Sequence, residues 1–495
     1  MSMINISNLT FGYDGSSENV FENVSFRIDT DWRLGFTGRN GRGKTTFLRL
    51  LQGELEYSGT ISASVDFEYF PYSVTECNNL AIDIIREISG NAEDWKIYRE
   101  MSLLDVDEGV LWQPWCTLSN GEQTKAMLAG MFLRENAFLL IDEPTNHLDM
   151  EAREHLGEYL KKKKGFILVS HDRAFLDSCI DHILAINRAD IEIQSGNFSS
   201  WQANKEMRDS FEIAENNKLK REIKGLEAAA KKAAEHSDKI ERTKIGFDPN
   251  KTEKSTGRRA SVAAKSKKLM NRAKAMETRI ASDIDEKSKL MRNIEQADSL
   301  KISPLKFHSQ RLCEVKKLAI EYDGRTVCEN VSFEVMQGER VALCGKNGCG
   351  KSSILKLLLG EDIVHCGEIL GAEKLKISYV PQKTDFLSGT LTEYAESRGI
   401  DESLFKAILR KLDFSREQFE RPIESYSGGQ KKKVLIAGSL CEEAHLYIWD
   451  EPLNFIDVLS RIQIEELILK FQPTIIFVEH DRAFCESVAT KKCLI

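Results

Sequence analysis

The chain has 495 residues, of which 41% are hydrophobic, and 69 Lys and Arg against 77 Asp and Glu give a net charge of −8. At about 100–200 residues per domain, this length predicts two to four domains, and the apolar content excludes global disorder. The sequence begins without the pattern of a signal peptide, and no apolar run approaches the roughly 18–20 residues that span a bilayer. We therefore expect a chain that is neither exported nor membrane-inserted, although it could serve a membrane partner.

Eleven cysteines are scattered singly, without a CxxC pair or a Cys/His cluster at zinc-ligand spacing. Unpaired cysteines in a long chain are typical of a reduced protein, so we expect a cytoplasmic location. We interpret most of these cysteines as small buried residues.

The first predicted element that carries chemistry is a glycine loop between a strand at 33–37 and an apolar-periodic helix from 47 onward. A GxxxxGK[ST] loop in this context turns backbone N–H groups toward phosphate oxygens at a helix N-terminus. We expect Lys44 to reach the β- and γ-phosphates of ATP and Thr45 to ligate Mg²⁺. The candidate nucleotide-binding residues of this loop are Gly38, Arg39, Asn40, Gly41, Arg42, Gly43, Lys44, Thr45 and Thr46.

The next two candidates follow apolar strands at 138–142 and 166–169. Asp142 at the strand end suits Mg²⁺, and Glu143 can polarise the water that attacks the γ-phosphate. Loop-capping acids are the alternative reading, but Glu143 stands 99 residues after Lys44, at the position a catalytic acid takes after such a loop. His171 can contact the γ-phosphate as a neutral imidazole, whereas a lone histidine is more often structural.

A stretch of different composition covers residues 201–303, with 25 Lys and Arg against 17 Asp and Glu, a net charge of +8. Apolar residues recur at three- and four-residue spacing in two runs, which predicts two helices of ~35 residues folded into a hairpin ~50 Å long. The bend is predicted near residues 246–250. Residues 239–274 alone carry a net charge of +9, which suits contacts with RNA phosphates. A solvated flexible tether is the alternative.

Six blocks of the first 200 residues recur 307 to 309 positions later, as for Lys44 and Lys351 or His171 and His480. The predicted domains are therefore 1–200, 201–303 and 304–495. The second set of candidates comprises Gly345, Lys346, Asn347, Gly348, Cys349, Gly350, Lys351, Ser352, Ser353, Asp450, Glu451 and His480. Tyr13 and Tyr322 end the strands before the two glycine loops, where a ring can stack on adenine or pack in the core.

With LSNGEQ at 118–123 and YSGGQ at 426–430, the chain resembles the ATP-binding-cassette (ABC) superfamily over its whole length. That family is defined by the phosphate loop, the strand ending in Asp-Glu, the LSGGQ-type signature and the switch histidine, and each is present twice. The charged linker and DEPTNHLD at 142–149 resemble the ABC-F subfamily. DEPLNFID at 450–457, the run at 161–175 and the lack of a C-terminal extension resemble its Lsa-type antibiotic-resistance branch.

The resemblance implies an α/β fold in which two tandem P-loop domains, joined by a long α-helical hairpin, pair head to tail and trap two ATP molecules. Each site combines the phosphate loop, acids and histidine of one cassette with the signature of the other. The first cassette would face Ser427, Gly428 and Gly429, and the second would face Ser119 and Gly121. Loss of the γ-phosphate would then release the closed state.

Two departures from the family pattern affect these expectations. Family members usually carry Gln after the strand that follows the phosphate loop; Gln382 stands there in the second half and can ligate Mg²⁺, but Tyr72 stands in the first. We therefore predict unequal sites. Asn120 replaces a signature glycine and is tolerable if its φ stays negative. Similar spacings from Lys44 to Ser119 and from Lys351 to Ser427 argue against an inserted arm.

For function, the resemblance implies ATP-dependent binding of a monomer to the E site of the 70S ribosome, without a membrane partner. The linker hairpin would touch 23S rRNA and the P-site tRNA and bring residues 245–250, with Phe247 as candidate contact, toward the peptidyl-transferase centre. Protection against lincosamides, streptogramin A and pleuromutilins would follow. The alternatives are a housekeeping ABC-F translation factor, the energising subunit of a membrane exporter, and a DNA-repair ATPase.

Overall fold

The computed structural model describes residues 2–13, 19–146, 148–187, 190–245, 275, 278–280, 301–322, 325–372 and 374–495. Within these ranges, no helix combines the length and apolarity needed to cross a membrane. The chain divides into two compact units, one formed by residues 1–201 with 297–495 and the other by residues 202–296. The first unit contains both repeats.

The first repeat is an α/β cassette with two sheets. The three-stranded antiparallel sheet has the order β2-β1-β4, and the six-stranded sheet has the order β5-β6-β7-β3-β8-β9 with only β9 antiparallel. The strands are β1 Met3–Phe11, β2 Phe21–Asp29, β3 Arg33–Thr37, β4 Ser58–Ser62, β5 Asp66–Phe70, β6 Ala137–Asp142, β7 Phe166–Val169, β8 His182–Asn187 and β9 Asp190–Ser195. The helices are α1 Lys44–Gln52, α2 Ala81–Ile88, α3 Asp94–Leu103, α4 Asn120–Met131, α5 Met150–Lys161 and α6 Arg173–Cys179, with 3₁₀ turns at Glu108–Trp112 and Trp115–Thr117.

The second repeat has the same plan, with an antiparallel sheet β11-β10-β13 and a parallel sheet β14-β15-β16-β12-β17. Its strands are β10 Arg311–Tyr322, β11 Arg325–Met336, β12 Arg340–Cys344, β13 His365–Gly371, β14 Ile377–Val380, β15 Leu446–Asp450, β16 Ile475–Val478 and β17 Lys491–Leu494. Its helices are α8 Lys351–Leu358, α9 Leu391–Arg398, α10 Glu402–Lys411, α11 Gly428–Cys441, α12 Val458–Phe471 and α13 Arg482–Val488, with 3₁₀ turns at Arg416–Glu420 and Ile423–Ser425. The predicted fold class, two tandem α/β cassettes, is confirmed.

The central strands form where the sequence has short, continuous apolar runs. Residues 138–141 and 166–169 are fully buried, as are 446–450 and 475–478, because helices cover both faces of each parallel sheet. Since the carboxyl ends of parallel strands meet along one edge, the residues that follow β3, β6 and β7 are brought together there. This edge carries the candidate sites.

The linker begins as α7, a 48-residue helix from Phe198 to Ile245, about 70 Å long at 1.5 Å per residue. This helix is longer than predicted because it starts inside the first cassette, where Phe198 and Trp201 are buried in the hydrophobic core. The predicted bend at 246–250, including Phe247, and most of the predicted second helix lie outside the described residues.

Candidate active sites

Two glycine loops place helix N-termini at the edge of each parallel sheet. Gly43 and Gly350 precede α1 and α8 with φ of 90°, a left-handed conformation that side chains oppose. Gly41 and Gly348, two positions earlier, also have positive φ values of 81° and 80°. Because both cap residues are glycines, neither supplies a side-chain acceptor for the first N–H groups of its helix. These N–H groups are therefore left for another acceptor, as a phosphate site requires.

The lysine that starts each helix lies over its own loop. Lys44 Nζ donates to Gly38 O at 2.7 Å, and Lys351 Nζ donates to Gly345 O at 2.8 Å. Both lysines are buried, and burial lowers the pKa of Lys44 despite the nearby carboxylates. A buried ammonium held by carbonyl oxygens at a helix N-terminus favours an anionic ligand. Asn40, the third residue of the first glycine loop, lies beside Lys44, with its Oδ1 3.4 Å from Lys44 Nζ.

The next pair of groups, a hydroxyl and a carboxylate, suits Mg²⁺. In the first cassette, Thr45 Oγ1 donates to Asp142 Oδ2 at 3.0 Å. In the second, burial raises the pKa of Asp450 to about 6, although a hydrogen bond from Ser352 acts in the opposite direction. Oδ1 of Asp450 is buried and has no hydrogen-bond partner among the described residues. Hard oxygen donors with one acceptor left over fit the ligand preference of Mg²⁺, with water and phosphate completing its shell.

Tyr69 is a contact of this pair that sequence reasoning missed. Its hydroxyl donates to Asp142 Oδ2 at 3.0 Å from the end of β5. Its counterpart Tyr379 aligns with it three residues before Gln382, so the repeat itself carried the signal. Tyr72, the residue that replaces Gln, instead donates to Glu87 Oε1 at 3.4 Å.

The two candidate bases follow β6 and β15 in a strained conformation. Glu143 and Glu451 have φ of 52° and 45°, which is unusual for residues with side chains and is often found at functional sites. His171 Nε2 lies 3.3 Å from Glu143 Oε1, and His480 Nε2 lies 3.5 Å from Glu451 Oε1. Each predicted Glu-His pair is therefore brought together in space.

The electrostatics of the two glutamates differ. Burial, followed by the charge of Asp142, raises the pKa of Glu143 to about 8. Burial also opposes ionisation of Glu451, but hydrogen bonds from His480 and Gln382 outweigh it and lower its pKa to about 2. The two environments therefore act in opposite directions, favouring the carboxylate at Glu451 and the protonated form at Glu143.

The first glycine loop meets the second cassette directly. Asn40 Nδ2 donates to Phe455 O at 2.8 Å, and Arg39 Nη1 lies 3.2 Å from Asp413 Oδ1. A Cβ added at Gly429 would lie 3.0 Å from Asn40 Nδ2 and would clash with the carbonyl oxygen of Phe455. The second signature therefore needs glycine here, chiefly because the backbone of Phe455 lies so close, and the glycine also leaves room for Asn40 of the opposite loop.

The second glycine loop and the first signature enclose a cavity of about 850 Å³. Residues from both cassettes face this cavity, so the predicted head-to-tail grouping is present in the structure. The predicted residues in its lining are Ser119, Gly121, Tyr322, Asn347, Gly348, Gly350, Lys351, Ser352, Ser353, Gln382, Glu451 and His480. Glu122 and Lys125 also line it and were missed, although their helical spacing from Ser119 could have indicated them.

The signature serines cap the helices that point at these sites. Ser119 precedes α4 and Ser427 precedes α11, and each forms a capping box with the residue three positions later. Asn120 is the first residue of α4 and is absent from the residues with positive φ, so its substitution for glycine is tolerated as expected. Ser119 Oγ donates to Glu122 Oε2 at 2.7 Å, which places a carboxylate in the first signature.

The two tyrosines before the glycine loops are half exposed, at 49% for Tyr13 and 45% for Tyr322, which excludes the core-packing alternative. The hydroxyl of Tyr13 lies 2.8 Å from Thr46 Oγ1, and that of Tyr322 donates to Ser353 Oγ at 3.1 Å. Each ring is thus anchored at its polar end beside the loop while its face stays accessible, as stacking on a base requires.

An arginine that sequence reasoning missed links the two cassettes at their buried centre. Arg153 Nη1 donates to Asp172 Oδ2 at 2.9 Å within the first cassette and to His480 O at 3.3 Å in the second. Arg461 makes the equivalent bond to Asp481 at 3.1 Å. The bond from Arg153 to His480 O therefore ties the backbone of the switch histidine in the second cassette to a helix of the first.

The fold and the paired sites define an ATP-binding-cassette ATPase. A family model described as ABC transporter matches residues 21–146 and 328–454, and the chain belongs to this family. It is accordingly an ATP hydrolase, as predicted.

Similar proteins extend this result over the whole chain. The ribosome protection protein VmlR of Bacillus subtilis (strain 168) is 28% identical over 98% of this chain and 85% of its own length. The ATP-binding protein Uup of Buchnera aphidicola is 27% identical over 100% of this chain and 80% of its own length. These relatives are ABC-F-like proteins. The archaeal factor aABCE1, solved in complex with stalk protein aP1, has a TM-score of 0.63 at 19% identity, covering 98% of this chain and 87% of that one, and supports the fold alone.

Proposed function

We propose that the chain is a cytoplasmic ribosome-binding ATPase of the Lsa-type ABC-F branch that protects translation from peptidyl-transferase-centre antibiotics. The drugs are lincosamides, streptogramin A and pleuromutilins. The observation that carries the proposal is the closed, composite arrangement of two sites in a chain whose linker is strongly basic. The similarity to VmlR, a ribosome protection protein, supports this reading over a generic ATPase.

In this proposal, each ATP is held by both cassettes. Lys44 and Lys351 contact the β- and γ-phosphates, and the tyrosines stack on adenine. Mg²⁺ would be held by Thr45 with Asp142 and by Ser352 with Asp450 and Gln382, and when bound it neutralises charge on the phosphate oxygens. The opposite signature contributes its serine hydroxyl and helix N-terminus, which meet the γ-phosphate from the other side and complete the site. The residues of that half are Ser119 and Gly121, or Ser427, Gly428 and Gly429.

Hydrolysis would follow from the residues after the acidic strands. Glu451, ionised at neutral pH, orients and polarises the attacking water, while His480 contacts the γ-phosphate. Glu143 and His171 have the same placement, but the raised pKa of Glu143 leaves less carboxylate at neutral pH. We infer that the site of the second glycine loop hydrolyses ATP faster.

The domain boundaries 1–200, 201–303 and 304–495 give each part a task. The two cassettes bind and hydrolyse ATP, and the linker occupies the ribosomal E site while the cassettes are closed. Its basic stretch at 239–274 binds 23S rRNA and the P-site tRNA, driven by release of counterions. The tip at 245–250, with Phe247, approaches the peptidyl-transferase centre, so drug displacement acts through tRNA or rRNA.

A double substitution of the catalytic glutamates tests this function. Glu143→Gln with Glu451→Gln keeps the shape of each site but removes the carboxylate, so the protein should bind ATP and remain on ribosomes during sedimentation. Glu135→Gln with Glu443→Gln is a matched control, because both are exposed glutamates in front of the same strands, β6 and β15. Recovery of the catalytic double variant only in the free fraction would refute the proposal.

The second candidate is a housekeeping ABC-F translation factor, favoured by the similarity to Uup at nearly the same identity. Deletion and re-expression of the gene distinguish the two functions. Protection predicts that deletion lowers resistance to the three drug classes without changing drug accumulation in the cell. A growth or translation defect without a change in resistance would favour the housekeeping function, and lowered accumulation in expressing cells would indicate export.

A further inference from the structure

The first cassette buries a polar trio at a place where the second cassette is apolar. Glu100 is only 1% exposed, yet it accepts hydrogen bonds from the hydroxyl of Tyr159 at 2.8 Å and from Lys163 Nζ at 2.5 Å. Burial opposes its ionisation, but the donors, including Arg99, outweigh burial and lower its pKa. Glu100 is therefore held as a carboxylate.

The internal repeat shows that the fold does not require this trio. With the offset of 308 that aligns the buried positions of α3 and α10 and of α5 and α12, the counterparts are Ile408, Leu467 and Phe471. Ile408 and Leu467 belong to the hydrophobic core of the second cassette, and Phe471 packs against it. Because apolar residues in these positions build the same structure, the buried carboxylate points to a task other than folding.

The task that the trio serves is visible on the adjoining surface. Glu100 fixes Lys163 in the run Lys161–Lys164 and also binds Arg99 Nη2 at 2.9 Å. Lys161, Lys162 and Lys164 are exposed, and none has a carboxylate within ion-pair distance among the described residues. The trio thus joins a lysine-rich turn to the outer face of α3.

That face of α3 carries a partly exposed aromatic ring with two cations over it. Trp95 is 56% exposed, with Lys96 Nζ 5.7 Å and Arg99 Cζ 5.6 Å from its ring centroid. The neighbouring acids are already engaged, since Glu93 accepts from the indole of Trp95 and Asp94 pairs with Arg86 at 2.8 Å. The counterparts of Trp95, Lys96 and Arg99 in the second cassette are Ser403, Leu404 and Ala407.

We propose that this surface of the first cassette, formed by Trp95, Lys96, Arg99, Lys161, Lys162 and Lys164 and fixed by Glu100, is a second RNA-binding site, separate from the linker. Exposed cations, two of them held over the ring of Trp95 and three in the neighbouring turn, match the phosphates of a structured RNA. The proposal rests on the proposed ribosomal function and adds a surface through which the first cassette binds RNA.

Charge removal with measurement of salt dependence tests this surface. In the Glu143→Gln, Glu451→Gln background with ATP, Lys161→Gln, Lys162→Gln and Lys164→Gln together should weaken ribosome binding. The slope of log affinity against log salt should fall by about 2 to 3, because each lost phosphate contact contributes about 0.7–0.9. Substitution of three exposed lysines of the second cassette, Lys374, Lys376 and Lys470, is the control and should leave the slope unchanged.

The outcomes separate this proposal from the broader one. If the background protein does not bind ribosomes, the proposed function fails. If it binds and the triple lysine variant has the same affinity and slope, only the surface proposal is overturned. A photo-reactive amino acid incorporated in place of Lys162, which avoids the exposed native cysteines, should give a ribonuclease-sensitive product, and a protease-sensitive partner would instead assign the surface to a protein and overturn the proposal.

The positioning role of the trio has its own test. Glu100→Ile with Tyr159→Leu and Lys163→Phe transplants the apolar trio of the second cassette, so the variant should fold and keep its ribosome-free ATPase activity. Its ribosome affinity should fall severalfold, because the lysine turn and Arg99 lose their common anchor. Unchanged affinity in the folded variant would refute the role assigned to Glu100.

Discussion

Replacing Arg153 by methionine should weaken the closed pairing of the two cassettes. The side chain is 8% exposed, and its Nη1 donates both to Asp172 in its own cassette and to the backbone carbonyl of His480 in the other. His480 in turn lies 3.5 Å from Glu451. The substitution therefore removes two hydrogen bonds within the first cassette, to Asp172 and to the carbonyl oxygen of Leu148, and one that exists only while the cassettes are closed.

The two losses have different sizes. Within the first cassette, Asp172 keeps its burial and loses its cation, which typically costs about 3–5 kcal/mol. Burial and the neighbouring Asp481 already raise the pKa of Asp172, so partial protonation should hold the cost near the lower value. Between the cassettes, one charge-assisted bond contributes about 1.5–3 kcal/mol, and at 3.3 Å the lower figure applies. The closing equilibrium should therefore shift about tenfold toward the open state.

Zero-length crosslinking can measure that shift. Lys346 Nζ lies 2.9 Å from Glu151 Oε2 across the interface, and both side chains are exposed. With ATP, carbodiimide should join this pair in the unmodified protein and much less in the Arg153→Met variant. Lys356 and Glu361, 3.6 Å apart within the second cassette, supply an internal reference.

Two further variants isolate the contact between the cassettes. Arg134→Met breaks a half-exposed pair with Glu68 inside the first cassette and should leave the interface crosslink unchanged. Arg153→Lys keeps a positive charge beside Asp172, but a lysine ammonium cannot reproduce the geometry with which the guanidinium contacts both Asp172 and His480 O. The variant should therefore recover more of the thermal stability than of the crosslinking yield. If Arg153→Met lowers the melting temperature but leaves the ATP-dependent crosslink intact, the bond from Arg153 to His480 does not stabilise the closed pairing and the prediction is refuted.

Two predictions concern single sites. In the Glu451→Gln background only the first-cassette site retains its base, and Tyr72→Gln should change ATP turnover there by roughly an order of magnitude or less. If the Glu451→Gln protein has the same kinetics with and without Tyr72→Gln, Tyr72 does not contribute to the asymmetry of the two sites. Cys349 lies in the second glycine loop with Sγ 3.9 Å from Lys351 Nζ, so alkylation should inhibit hydrolysis and ATP should shield the thiol. Labelling of exposed Cys77 and Cys366 provides the reference, Cys349→Ser should abolish the inhibition, and equal labelling of Cys349 with and without ATP would contradict its placement.

The sequence predicted the groups whose spacing is fixed by local structure. Lys44 follows its strand through a loop of set length, and Glu143 and His171 directly follow core strands, so alternating apolar runs and polar ends sufficed to find them. The composite pairing came from the family resemblance. Contacts between residues distant in the chain, such as that of Arg153 with His480, depend on how the two folded cassettes pack together. No sequence spacing indicates such contacts.

Other omissions have a different cause. Tyr69 lies within β5 and Tyr72 two residues beyond its end, and the spacing of the two residues alone does not show which one reaches Asp142. Glu100 lies on the buried face of α3, beside Ile97 and Met101, where the helical pattern predicts an apolar residue. Its three donors come from its own helix and from α5 and the turn after it, which sequence spacing alone does not connect.

The duplicated chain supplies its own comparison for the two ATP sites. One scaffold, repeated at an offset of about 308 residues, holds two glutamates whose pKa values shift in opposite directions. Burial and the charge of Asp142 raise the pKa of Glu143 to about 8, whereas hydrogen bonds from His480 and Gln382 outweigh burial and lower the pKa of Glu451 to about 2. In the proposed mechanism both ATP molecules bridge one interface, so the cassettes should separate only when neither nucleotide remains. The site of Glu143, which we proposed to be the slower one, should then set the lifetime of the closed state, and raising the carboxylate fraction of Glu143 should shorten that lifetime more than any improvement at Glu451.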